Sequence, residues 1–587
     1  MTTETVEDFD ALEFFKSEIC SEDLSIRVEC IERMDLIAHA LGPSIALSKF
    51  VPLISDCVKG VFCSDDDEVL LAFAKFIPSL RPCLPKEADS MALVPILEYL
   101  ASQDETVIRD AAVKSLGILA AESKAVCNEA CLPALTRLFK AEWFSSKLSA
   151  CGLAHFVYPH VTDESRSQIR ALYAASASDE TPMVRRSAAF HLHEMIRVVE
   201  NAFVISEMLP VYQNFAQDDT QEAVRSSCVA ASQSLCDRFQ EIPEIKMCVR
   251  DTVAALALDK SWRVRLAVVK VYGELCKCIG KVGTVSHLLD PLVLLIKDQE
   301  PDVRKTAIVA FCNTADLLGS SVVVNTLVPL FGSISKDPVH QVRSALSSCV
   351  GSLARALGKD FTITHLIPLL MESVKDDHAN IRFLTTGSIG AICQVVGEPT
   401  IVSQLIILLH SLSQDSNWRT RLAVLQQIPC ISRLLGKEVY ETKLESLFVS
   451  FFGDAVHAVR DSLSKEIGSL VSDLGEQWTV NHFASKIVCL YSNSNSYSSR
   501  IAILHTLPKL ANVMSDPDDV KRLLLPTLEQ GCRDQVPNVR FVACAVARDL
   551  LASSAALQKT AVTQQVQPLL QDQDMDVRYF ASRAVQV

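Results

Sequence analysis

Apolar positions along this chain fall in short runs with helical spacing, and the runs are interrupted at a nearly constant distance. An apolar-Arg pair marks the beat, as VR or IR, at Arg27, Arg109, Arg185, Arg225, Arg265, Arg304, Arg343, Arg382, Arg460, Arg540 and Arg578. With Arg421 (in TR) included, every step from Arg265 to Arg460 is 39 residues, and the other steps are 38 to 43. Degenerate units keep the phase: Leu70 follows Val69 in the second, Lys147 takes the place in the fourth and Arg500 in the thirteenth, which gives fifteen units. A period of this length is the signature of a repeat architecture.

Two further combs share the phase. Six residues before the arginine lies an aspartate, at Asp179, Asp219, Asp259, Asp298, Asp337, Asp376, Asp415, Asp454, Asp534 and Asp572. Fifteen residues after it lies a glycine, at Gly42, Gly280, Gly319, Gly358, Gly397, Gly436 and Gly475. Each unit therefore reads as two helices. The first carries a proline in an apolar frame, as in FVPLI (50–54), LVPLF (327–331) and LIPLL (366–370), and proline bends a helix by removing a hydrogen bond. The aspartate marks the turn. The second helix begins near the apolar-Arg pair, and the glycine ends it by adopting positive φ.

Two short helices cannot bury their own apolar faces, so stacked neighbours must bury a shared core. The predicted fold is all-α, an α-α superhelix of about fifteen repeats. The Asp and Arg combs are expected to form a ladder, each arginine bonding the aspartate of its own or the next layer.

Composition narrows the picture. Apolar residues make up 49% and charged residues 21% of 587 residues, which excludes a disordered chain. Net charge is −14, against the basic footprint that nucleic-acid binding needs. The N-terminal MTTETVEDFD is acidic, unlike a secretory leader. Apolar runs such as LIILL (405–409) fall short of the ~20 residues that span a bilayer, so no membrane insertion is expected. The 20 cysteines include no CxxC pair and read as free, buried thiols, which points to the cytosol or nucleus.

Candidate chemistry is sparse. His191 and His193 flank Leu192 in HLHEM, and alternate positions on a helix face different ways, so they make a poor metal site. Gly-Lys pairs at 280–281, 358–359 and 436–437 lack the following Ser or Thr of a phosphate loop. No nucleophile elbow or dinucleotide fingerprint occurs. The expectation is a non-enzyme without cofactor or metal.

Three of the four tryptophans, Trp143, Trp262 and Trp418, lie in the turn before a second helix, three or four places ahead of the ladder position. Arg263 and Arg419 adjoin two of them. Exposed Trp beside Arg is the usual composition of an interface hot spot; a ring packed on the neighbouring turn is the alternative, and spacing leaves both open.

The Asp…VR signature marks a HEAT array, and finer strings go further: EWFSSKLSACGL (142–153), SDETPMVRRSAA (178–189), DKSWRVRLAV (259–268), NWRTRLAV (417–424) and QDQDMDVRYFA (571–581). On these the chain resembles, end to end, the scaffold (A, 65 kDa regulatory) subunits of protein phosphatase 2A. The resemblance implies a non-catalytic holoenzyme scaffold. Residues 1–319, repeats one to eight, would form the arm that binds a variable regulatory B-type subunit, with Trp143, Pro182, Arg186, Trp262 and Arg263 on its turns. Residues 320–397, repeats nine and ten, would connect it to residues 398–587, repeats eleven to fifteen. That last arm would bind the phosphatase catalytic subunit through Trp418, Arg419, His457, Tyr497, Val536 and Pro537. His457 stands where an aromatic is expected. The second repeat lacks its arginine, and the last unit's final helix is expected to be short. A HEAT-repeat nuclear transport receptor, or another protein-binding adaptor, is the alternative; a receptor would carry an acidic inner loop, which is not seen. An iron-dependent HEAT-repeat hydroxylase needs several His-Glu pairs, and this chain has one, at 193–194.

Overall fold

A computed structural model describes residues 10–62, 66–397, 399–553 and 559–586. The first nine residues of the acidic N-terminal segment and Cys63 lie outside them. Among the described residues every regular element is helical, and the fold is an α-α solenoid. Packing divides the chain into two compact units, Met1–Val303 and Arg304–Val587. This is a division by contact; the three arms expected from the resemblance are divisions by partner.

One repeat in the second unit shows how the sequence builds the layer. The helix that starts at His340 stops at Gly358, whose φ of 81° is open to glycine at no steric cost. The chain restarts, widens into a π turn over Thr362–Leu366, and continues as the helix Ile367–Ser373, with Pro368 at its start. A turn at Asp376 follows, then the second helix, Ala379–Val396. That helix buries Ile381, Thr385, Ile389, Ile392 and Val396 at three- and four-residue intervals. Fully burying each aliphatic side chain contributes roughly 1.5–3 kcal/mol. Gly397 closes it in the left-handed conformation, φ 65°.

The first-helix prolines therefore do more local work than a bend. Four of them, Pro52, Pro133, Pro210 and Pro368, sit just after π turns at Ala46–Phe50, Cys127–Cys131, Val204–Met208 and Thr362–Leu366, whereas Pro329 lies within the 3-10 turn Val328–Leu330. Widening the turn moves the carbonyls that a proline ring would strike and that lack its N–H. The same π turn at Thr479–Phe483 has no proline, so proline is not its sole cause.

Second helices stack on second helices. In the first unit Phe144–Val157 packs on Pro182–Val198; in the second, Ala379–Val396 packs on Trp418–Leu435, which packs on His457–Leu474. The final second helix, Met575–Val585, has 11 residues against 18 for Ala379–Val396. In the first unit the helical run Trp262–Ile296 is long and apolar enough to cross a bilayer by length and composition, with a mean hydropathy of 1.4 in its richest window. Gly280, at φ 81°, breaks it into the end of one repeat and the start of the next, which is why no single apolar run of that length stands out in the sequence.

Of the 19 described cysteines 13 are buried, so the thiols act as small core residues. Burial pushes Cys131 and Cys393 up to about 12, where the reactive thiolate is scarce.

The ladder runs through both units. Arg265 donates from Nε and Nη2 to the Asp298 carboxylate of the next layer, at 2.6 and 2.8 Å, and from Nη1 to the Asp259 carbonyl of its own layer, at 2.8 Å. Asp259 in turn takes Arg225 at 2.6 Å and the Ser261 N–H at 2.7 Å. Arg343–Asp376, Arg382–Asp415 and Arg421–Asp454 repeat the arrangement. Lys147 and Arg500 serve the degenerate layers, on Asp179 and Asp534. Each rung joins neighbouring layers and satisfies a helix-end carbonyl together.

From Asp179 onward two rungs depart from the expected comb, and ahead of it Arg109 bonds the Gln103 and Asp104 carbonyls. Arg185 pairs with Asp218 at 2.6 Å, and Asp219 is left exposed; the turn there is one residue longer, so the ladder aspartate sits seven places before Arg225. At Arg460 the next layer offers Ser494 in place of an aspartate. Arg460 reaches the Asp454 carbonyl at 2.5 Å, and its buried Nε finds no hydrogen-bond partner among the described residues.

The rungs set an acid limit. Burial alone would raise the carboxyls of Asp259, Asp376, Asp415 and Asp454, but the arginine of the preceding layer and a turn N–H hold each below the usual carboxylate value of 3.8. A depressed carboxyl stabilises above its unfolded value and loses that contribution as pH falls through the folded one. The urea midpoint is expected to change little from about pH 7 to about pH 5 and to drop steeply below about pH 4. A midpoint that stays level to about pH 3 would mean the rungs add nothing.

Candidate functional site

The ladder also sets a register for the surface. Because each arginine reaches the aspartate of the next turn, consecutive turns within a unit lie side by side. Three residues before each ladder arginine is the first residue of the second helix, which projects from the turn edge. Pro182, Trp262, Trp418, His457, Tyr497 and Pro537 all hold this position, each opening its helix. Trp143 caps the helix Phe144–Val157 one place earlier in register.

The candidate residues divide cleanly between the compact units. In the first, Trp143 is 75% exposed, a large apolar ring with little cover. Pro182 is half-buried, and Arg186, one turn along the same helix, is exposed. Trp262 is half-buried, not free-standing as an exposed turn would suggest. The Arg263 guanidinium covers its face at 4.9 Å and pairs with Glu222 at 3.0 Å.

In the second unit Trp418 is likewise half-buried under Arg419, at 4.7 Å. His457 is exposed, Tyr497 is 51% exposed, and Val536 and Pro537 are half-buried at the start of their helix. The fourth tryptophan, Trp478, is core: it stands edge-on to Tyr440 and donates from Nε1 to Glu441 at 2.6 Å.

Further residues share this register without standing out in the sequence. Met575, the first residue of the last second helix, is 72% exposed, and Tyr579 on that helix is half-exposed. Met183 stands exposed beside Pro182. The signal lay in the spacing, since Met575 stands three places before Arg578, but methionine is as common in cores as at interfaces.

Cation–aromatic stacks on a row of parallel turns suit protein recognition. The planar guanidinium stacks on the ring and presents its edge donors to a carboxylate, as Arg263 does to Glu222, while the ring supplies apolar area.

Comparison with known proteins bears on whose surface this resembles. Residues 281–358 match the family described as "PPP2R1A-like HEAT repeat". The Drosophila melanogaster serine/threonine-protein phosphatase PP2A 65 kDa regulatory subunit is 39% identical over 188 residues, 32% of this chain and 31% of its own length. The beta isoform of the human serine/threonine-protein phosphatase 2A 65 kDa regulatory (A) subunit is 33% identical over 377 residues, 49% of this chain and 60% of its own. Parts of this chain are thus similar to protein phosphatase 2A 65 kDa regulatory subunits, and residues 281–358 match their HEAT repeat. The matched segments span less than two thirds of those relatives. Among solved structures, importin beta aligns with a TM-score of 0.61 over 98% of this chain and 79% of its own, at 12% identity, a likeness of fold alone. The HEAT-repeat solenoid expected from the period is thus the observed one.

Proposed function

We propose that this HEAT-repeat chain is a non-catalytic scaffold of a protein phosphatase 2A holoenzyme. Its C-terminal repeats hold the Ser/Thr phosphatase catalytic subunit, and its N-terminal repeats hold a variable regulatory subunit. The observation that carries this reading is the sequence likeness to the 65 kDa regulatory subunits, reinforced by where the aromatic and arginine residues fall. One set lies on turns of the first unit and the other on turns of the second, so two proteins can be gripped independently. Trp143, Pro182, Arg186, Trp262 and Arg263 meet the regulatory subunit. Trp418, Arg419, His457, Tyr497, Val536 and Pro537 meet the catalytic subunit, and Met575 extends that row. The mechanism is geometric: the scaffold fixes the separation of phosphatase and substrate-selecting subunit, and catalysis with its metals belongs to the partner. The assembly works in the cytoplasm and nucleus.

The test is affinity purification of the tagged chain from its own cells, with Ser/Thr phosphatase activity assayed in the eluate. A stoichiometric phosphatase catalytic subunit is expected. An eluate without phosphatase, carrying transport cargo instead, would overturn the proposal.

A further inference from the structure

The stacking of layers makes a cluster that HLHEM does not predict on its own. His191 pairs with Glu194 of its own helix, Pro182–Val198, at 2.7 Å from Nδ1 to Oε2. The same Oε2 lies 3.2 Å from Nδ1 of His155, which comes from the helix Phe144–Val157 of the preceding repeat. The three side chains are 14%, 24% and 29% exposed, for His155, His191 and Glu194. His193, the neighbour the sequence sets beside His191, turns away and bonds the Phe190 carbonyl. The pair that alternates along one helix is therefore a poor site, as expected, and the pair that matters spans two helices.

Three features distinguish this cluster from a chance polar contact. One donor atom from each of His155, His191 and Glu194 lies within 4.8 Å of the other two. His155 Nδ1 is buried without a hydrogen-bond partner among the described residues, since its approach to Glu194 is misaligned. The neighbouring helix also makes room: a Cβ on Gly152 would stand 3.2 Å from His191 Nε2, tight enough to push that imidazole by a few tenths of an ångström. The cluster opens onto a cavity of about 650 Å³ lined by Arg109, Lys114, Phe156 and Phe190.

We propose that His155, His191 and Glu194 form a binding site for a divalent transition metal, of which zinc is the best fit, bridging the fourth and fifth repeats. Two imidazoles and one carboxylate are a set that borderline cations such as Zn²⁺ take. Bonds of about 2.0–2.1 Å in a tetrahedral arrangement need donors about 3.3 Å apart, against the 2.7 and 3.2 Å already present on the Glu194 oxygen. Binding therefore asks for a shift of a few tenths of an ångström at Glu194 and a tightening of the remaining pair. The fourth position faces the cavity and takes water or a partner's side chain. Since the ligands come from two layers, the ion fixes the angle between those layers.

The test uses the full chain, stripped with chelator and titrated with ZnCl₂ by calorimetry and with CoCl₂ by absorption. One equivalent is expected, with visible d–d bands and without the intense near-ultraviolet charge transfer of thiolate ligands. His155→Ala and Glu194→Gln should each weaken binding by more than about 10-fold, and zinc should raise the melting temperature of the parent chain but not of these two variants. His193→Ala should bind like the parent. Should His155→Ala misfold, Glu194→Gln, which keeps size and shape, decides alone. No saturable binding, a thiolate band, or unchanged affinity in both ligand variants would overturn the site.

Discussion

The double substitution Trp418→Ala with Arg419→Ala is expected to weaken binding of the phosphatase catalytic subunit by about 30-fold or more while leaving the solenoid intact. Truncating an interface hot spot costs ~2 kcal/mol or more, which is that fold-change. The two side chains form one unit, the guanidinium 4.7 Å above the indole ring. Removing Trp418 leaves Arg419 without its platform, and removing Arg419 exposes ring surface that the partner would otherwise find pre-covered. Neither belongs to the core: Trp418 is half-buried at the first position of its helix, and Arg419 is exposed. Asn417 still caps that helix through the Arg419 backbone N–H, which alanine retains. Surface-immobilised variant and parent, compared by kinetic binding to purified catalytic subunit, read the effect, with circular dichroism as the check on folding. Full binding by a variant of parental helicity would remove this turn from the interface.

The second large effect lies in the ladder. Asp415→Ala is expected to lower stability by about 3 kcal/mol, because it leaves Arg382 largely buried without its carboxylate. Asp415 also takes the Asn417 N–H at 2.8 Å, so the turn loses a cap in the same change. The opposite experiment exists naturally at Arg460, where the next layer has Ser494 and the Nε is unsatisfied. Ser494→Asp should supply the missing carboxylate and raise stability by about 1–2 kcal/mol. Urea denaturation followed by circular dichroism checks both. The pair is informative because the two signs must differ. If Asp415→Ala is neutral, the rungs are ornament on a core that holds by apolar burial alone; if Ser494→Asp destabilises, the Arg460 geometry differs from that of its neighbours.

Much of this molecule was written in the one-dimensional pattern. The 39-residue beat determined the fold class, since a repeat that cannot bury its own apolar face has to stack. The combs located the turns, and the glycine comb located the helix ends: Gly42, Gly280, Gly319, Gly358, Gly397, Gly436 and Gly475 all adopt positive φ. Both follow from local rules, helix period and glycine's freedom at φ > 0, that act within a few residues. The sequence also put Trp143, Trp262 and Trp418 at the turn edge, though Trp262 and Trp418 prove to be the first residues of their helices.

Tertiary structure alone decided what happens between layers. Which of Asp218 and Asp219 takes Arg185 depended on the length of one turn, because a one-residue change rotates the carboxylate out of the arginine's reach. That the arginine following Trp262 and the one following Trp418 fold back over the ring and leave it half-buried, while Trp143, followed by Phe144, stands free, was also settled in three dimensions. His155 and His191 are 36 residues apart in the chain, and no helix period brings them together. Only the packing of one second helix on the next, with Gly152 clearing the space, sets both imidazoles on one carboxylate.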